Sequence, residues 1–125
     1  MDVTPLVKQD TQIIQSYAGG QFRISGAVYQ SAVIVTPEYT ESWNFSGQVA
    51  DLSEDDFAPL IAQADFIDVV LLGCGPHIQF LKPALKNALK EQGLSIDVMD
   101  TGAACRTYNV LIAEGRRVAA ALLPF

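Results

Sequence analysis

Ten residues in the middle of the chain, Asp68-Val69-Val70-Leu71-Leu72-Gly73-Cys74-Gly75-Pro76-His77, narrow the choice of fold more than any other stretch. An apolar run of strand length, closed by a glycine-rich turn and followed by a helical pattern, reads as a strand buried on both faces, as in parallel sheets covered by helices. Such folds gather their ligand sites at the carboxyl ends of the strands, which is where this turn falls.

The downstream residues repeat the theme. From Phe80 to Gln92, Leu81, Leu85, Ala88 and Leu89 recur at helical spacing, with Lys82, Lys86 and Lys90 on the wet side, Pro83 in the first turn and Gly93 as the stop. Ser95–Met99 reads as a strand. Thr101 then caps a helix lined by Ala104, Tyr108, Leu111 and Ile112 and ended by Gly115, and Arg117–Leu122 is the last strand. Strand, helix, strand, helix, strand with short joins is the pattern of right-handed βαβ crossovers, so strands 68–72, 95–99 and 117–122 are expected parallel in one sheet.

Upstream, residues 1–10 carry no periodicity and read as a loose arm, leaving 11–125 as one domain. Thr11–Ile24 reads as a β-hairpin across Gly19-Gly20, and Ala27–Thr36 as one strand ending at Pro37. A loop and a short strand near Ser42–Val49 follow. A helix over 54–64 is expected next, with Ser53 as N-cap, a Leu52–Phe57 staple, and Pro59 bending it or delaying its start. The expected fold is α/β: a single three-layer domain around a mixed, mostly parallel sheet, with βαβ crossovers in the C-terminal half and an N-terminal β-hairpin portion.

Half of the 125 residues are hydrophobic and 18% are charged, which supports a core without metals or disulfides. A net charge of −6, from 14 acidic against 8 basic residues, repels phosphate backbones and anionic lipid, so no nucleic-acid partner is expected. Met1–Pro5 has no signal-peptide pattern, and the longest apolar run, Val118–Leu123, is far below the ~20 residues of a spanning helix. A soluble, cytoplasmic chain without membrane insertion is expected, with both cysteines as thiols.

Several residues are candidates for chemistry. Gly73-Cys74-Gly75 opens a helix, an arrangement that lets backbone amides approach an anion or small ligand, although no phosphate-loop or dinucleotide fingerprint is present. With Thr101 and Arg106 at the same sheet end, it forms a candidate ligand pocket, weighed against a purely structural turn. Cys74 with His77 three residues on is a weak candidate for a nucleophile and its base, because no third orienting residue can be named. Cys105 lies at that sheet end too, and two independent thiols are favoured over a redox pair. One histidine and unpaired cysteines give no metal site, and no cofactor is implied. Arg106 and Asn109, three apart on one helix face, can present a partner contact, as can Trp43 on its loop; the competing readings are a solvated helix face and a tryptophan packed on its own sheet.

The segment Met99-Asp100-Thr101-Gly102-Ala103-Ala104-Cys105-Arg106-Thr107-Tyr108-Asn109, continuing through Glu114-Gly115-Arg116 and Val118 to Leu122, resembles the C-terminal signature of a family of small domains of unknown function. That family includes mitochondrial NADH:ubiquinone oxidoreductase (complex I) assembly factor 3 and its bacterial and archaeal relatives. Val70–Gly75 and Tyr17–Phe22 are similar in kind, and the resemblance spans about residues 11–123. It implies a three-layer α/β fold with a central mixed sheet, no established enzymatic activity, and action through protein partners such as respiratory-complex subunits or assembly factors. Two departures stand out: the chain shows no targeting presequence, and Cys74 occupies the middle of a turn that in the family is often Gly-Thr-Gly. The leading expectation is a non-enzymatic, bacterial-type protein-binding domain, with a homodimer as the default assembly. The alternative is a small-molecule or anion binder, or an enzyme, using the Gly73-Cys74-Gly75 turn.

Overall fold

The apolar run becomes β6 (Val69–Gly73), with parallel neighbours on both sides: β7 (Ile96–Met99) and β8 (Val118–Leu122). The coordinates, a computed structural model, describe residues 10–125. The arm expected over residues 1–10 lies, apart from Asp10, outside the described residues. Beyond β8 the sheet continues with β4 (Val33–Val35) and β5 (Thr40–Ser42) in the order β5-β4-β8-β6-β7. β4 is antiparallel to both of its neighbours, so four strands run one way and β4 alone runs the other.

Two crossovers place the helices. α2 (Pro83–Glu91) joins β6 to β7, and α3 (Thr101–Ala113) joins β7 back to β8 on the far side of β6. Steps in opposite directions with one handedness put the two helices on opposite faces. The period-two alternation of β6 then divides the core. Val70 and Leu72 pack with Phe57, Leu60 and Leu89, whereas Leu71 packs with Cys105, Tyr108 and Ile112 of α3. β8 is buried along its whole length, and its Ala119-Ala120-Ala121 lets both layers come close.

A second sheet shares the α3 face. β1 (Ile14–Ala18), β2 (Gln21–Ile24) and β3 (Ala27–Tyr29) form an antiparallel meander. Gly19 and Gly20 both have positive φ, at 62° and 74°, as a two-residue hairpin turn of type I′ requires. Ile14, Phe22 and Ile24 point inward and join the α3 core. The expected three-layer α/β architecture and its hairpin portion are present.

Five local expectations are corrected. The strand read over Ala27–Thr36 is two strands in two sheets, parted at the exposed Gln30-Ser31 where the chain leaves the meander; β-branched content cannot show a change of sheet. The strand expected near Ser42–Val49 is replaced by the end of β5 at Ser42, a loop over 43–48, and a 3-10 turn at Val49–Asp51, where Asp51 accepts the Gln48 N–H at 2.9 Å. The helix over 54–64 is a 3-10 turn, Glu54–Phe57, running into α1 (Ala58–Ile61), whose first turn takes Pro59. The helix expected from Phe80 begins at Pro83, which leaves residues 74–82 as a loop. Asp100, not Thr101, caps α3: its carboxylate accepts the Ala103 N–H at 2.8 Å.

Candidate functional site

At the carboxyl end of β6 the turn is stitched shut. Displacing the cap role to Asp100 frees Thr101, whose buried hydroxyl donates to the Leu123 carbonyl at 2.6 Å and accepts the Gly75 N–H at 2.8 Å. The Thr101 N–H donates to the Gly75 carbonyl at 2.9 Å, and the Leu123 N–H to that of Gly73 at 3.0 Å. Gly73 is required for this closeness, since a Cβ there would lie 2.9 Å from Thr101 Oγ1 and 3.0 Å from Leu122 Cδ2. Gly75 holds φ +97°, open chiefly to glycine.

The cysteines sit on opposite faces of the sheet, both free and buried. Cys74 belongs to the α1/α2 side, with its thiol 3.5 Å from the Gln79 carbonyl oxygen, and burial raises its pKa. Burial pushes the Cys105 thiol up to about 12. A nucleophilic cysteine needs the opposite shift. His77 is exposed on the loop.

On the Cys74 side an open groove of about 520 Å³ runs past the turn. Phe45, Leu123 and Pro124 give it apolar walls, Gln30, Gln48 and Gln79 supply amides, and Cys74 and Gly75 lie along it. Gly73, Thr101 and Arg106 do not line it. The five residues read as one pocket are therefore divided: two beside the groove, two within the stitched turn, and Arg106 exposed on α3.

Arg106, Tyr108 and Asn109 of α3 are engaged from within the chain. The Asn109 side chain pairs with both backbone groups of Ile14, accepting its N–H at 3.0 Å and donating to its carbonyl at 2.8 Å, as a neighbouring strand would. The buried Tyr108 hydroxyl donates to the Gln12 carbonyl at 2.9 Å, and Arg106 donates to the Tyr17 hydroxyl at 2.8 Å. Trp43 is also turned inward, packed between Phe45 and Phe57 with its indole N–H donating to the Asp56 carbonyl at 2.7 Å. These residues clasp one part of the chain to another.

Residues 14–123 match the family model described as "Protein of unknown function (DUF498/DUF598)". The chain belongs to this family. An uncharacterized protein of Rhodobacter capsulatus is 40% identical over 111 residues, covering 89% of this chain and 83% of that one. NADH dehydrogenase [ubiquinone] 1 alpha subcomplex assembly factor 3 of Bos taurus is 32% identical over 111 residues, covering 89% of this chain and 60% of the bovine protein. This DUF498/DUF598 chain thus spans 60% of the length of its bovine relative. A Bordetella parapertussis protein of known crystal structure superposes with a TM-score of 0.82 at 31% identity, covering 99% of this chain and 100% of that one. The resemblance carried by Met99–Leu122 is thereby shown.

Phe80, the most exposed large apolar side chain among the described residues, was not singled out from the sequence, nor was its neighbour Ile78. Phe80 is 95% exposed and Ile78 60%, both on the loop that borders the groove through Gln79. The signal was Pro83: proline is favoured at the first helical position, and starting α2 there takes Phe80 off the helix. Among the described residues no helix is long and apolar enough to cross a membrane.

Proposed function

We propose that this chain is an accessory factor in the assembly of a respiratory membrane complex of the NADH:ubiquinone oxidoreductase kind, acting through protein contacts rather than catalysis. The observation that carries the reading is the 32% identity, over 89% of this chain, to a protein named as an assembly factor of that complex. The geometry supports it in two ways. The Gly73–Gly75 turn spends its polar groups on Thr101 and Leu123, and burial raises the pKa of both thiols, the shift opposite to the one a nucleophile needs. An exposed phenylalanine and isoleucine beside a groove free of charged side chains are the features of a protein-docking surface. The reading takes the chain as cytoplasmic, where two unpaired cysteines suit a reducing compartment, and the docking surface as Ile78–Phe80 with the groove.

The groove favours a second reading, an uncharged small ligand beside Cys74 and Gly75. An anion is a poorer fit, because no cationic side chain lines that groove.

Deleting the gene in its native host and resolving the respiratory complexes on a native gel tests the leading reading. The expected result is loss of the full-size NADH-oxidising complex with accumulation of subassemblies; wild-type levels of the full complex would overturn it.

A further inference from the structure

Charge is segregated along this chain in a way that describes a partner. Between Ile24 and Asp68 there are eight carboxylates and no lysine or arginine; between Val69 and Lys90 there are three lysines and no carboxylate. Those three, Lys82, Lys86 and Lys90, are all exposed; Lys86 and Lys90, four apart, share a stripe of α2, and Lys82 stands at its N-cap. None has an ion-pair partner among the described residues, where the one salt bridge is Arg117–Asp68. The row starts two residues after Phe80, so the edge of the charge-free groove contributed by residues 74–79, an apolar knob and a row of cations follow one another along the chain.

We propose that this surface docks a segment of a partner protein that is apolar and uncharged where it meets Phe80 and the groove, and acidic where it passes α2. The inference rests on the protein-contact reading above and adds the chemistry of the partner. A chain of net charge −6 repels acidic partners on average, so a row of three cations without carboxylates among them selects both the site and the orientation of such a segment. Gln30, Gln48 and Gln79 offer donors and acceptors suited to the backbone of an extended peptide, and the groove is concave. An anionic bilayer would satisfy the lysines and Phe80 but has nothing to enter the groove, so the peptide is favoured.

The test is selection of a random peptide library, segments of roughly twelve residues, on the full chain. Selected peptides are then titrated against wild type, Phe80→Ser and the triple variant Lys82→Gln/Lys86→Gln/Lys90→Gln. The expected peptides join an aliphatic or aromatic cluster to several carboxylates, and bind the triple variant about tenfold more weakly, with the difference shrinking at high salt. Neutral or basic peptides, or unchanged affinity for the triple variant, would overturn the proposal. So would Phe80-dependent binding of phosphatidylglycerol vesicles with no peptide selected. Capture of respiratory subunits lost in Phe80→Ser but retained in the triple variant would leave the docking reading standing and remove the acidic-partner rule.

Discussion

Two stretches of this molecule invert what their sequences advertise. Arg106–Asn109 on α3 belongs to the most distinctive segment of the chain, yet the side chains of Arg106, Tyr108 and Asn109 reach Tyr17, Gln12 and Ile14, binding the meander and the residues before it to the body of the fold. Residues 76–82 carry no motif, yet they display Ile78 and Phe80 to solvent. A sequence signature marks what a fold cannot change, and a clasp that replaces a missing strand is as constraining as an active site. Contact surfaces need only be apolar, exposed and suitably charged, which leaves a fainter trace.

The difference can be broken from either side. The largest effect is expected from Tyr108→Ala, which empties a buried aromatic site and strands the Gln12 carbonyl; urea denaturation should show a loss of about 4 kcal/mol. Asn109→Ala leaves the Ile14 N–H and carbonyl unpaired and should cost about 2 kcal/mol, with faster amide exchange confined to β1–β3. A comparable cost, about 2 kcal/mol, is expected for Gly73→Ala, whose new methyl must displace Thr101 or Leu122. Phe80→Ser should change stability by less than about 0.5 kcal/mol, since an almost fully exposed side chain supports nothing.

The thiols give a pH test of the same division. Cys105 has its folded pKa raised by burial to about 12, from 9.0. Between those values the unfolded chain has released a proton that the folded chain keeps, so this contribution is fully present below pH 9 and is lost as pH rises toward 12. Tyr108, also raised by burial, acts in the same direction further up. Denaturation midpoints should therefore fall above pH 9, and both cysteines should react with a thiol reagent in the native state far more slowly than in urea. Rapid native-state reaction of Cys74 near neutral pH would reopen a nucleophilic role.

Much of the fold was legible because its periodicities are local. The period-two run at 69–73, the stripe of α2 and the glycine stops at 93 and 115 each declare their element without help from the rest of the chain. What was lost depends on tertiary placement. Nothing in Ala27–Thr36 says that the strand changes sheets, and Thr101 and Asp100 are equally good caps until the sheet end takes up the threonine hydroxyl. The candidate site was read less well for the same reason. Gly73, Gly75 and Thr101 do meet, but in a closed turn, while Cys74 joins the α1/α2 side of the sheet and Arg106 is exposed on α3 against Tyr17. Asn109 was visible as a polar contact residue, while its partner, β1, lies 95 residues away in sequence.

Side-by-side capture from the native host tests the division most directly. Wild-type chain, Phe80→Ser and Arg106→Ala would each be tagged at equal abundance, and the NADH:ubiquinone oxidoreductase subunits recovered with each would be quantified. The expected result is wild-type recovery with Arg106→Ala and loss of most of it with Phe80→Ser; recovery retained by Phe80→Ser and lost in Arg106→Ala would contradict it and return the partner contact to α3.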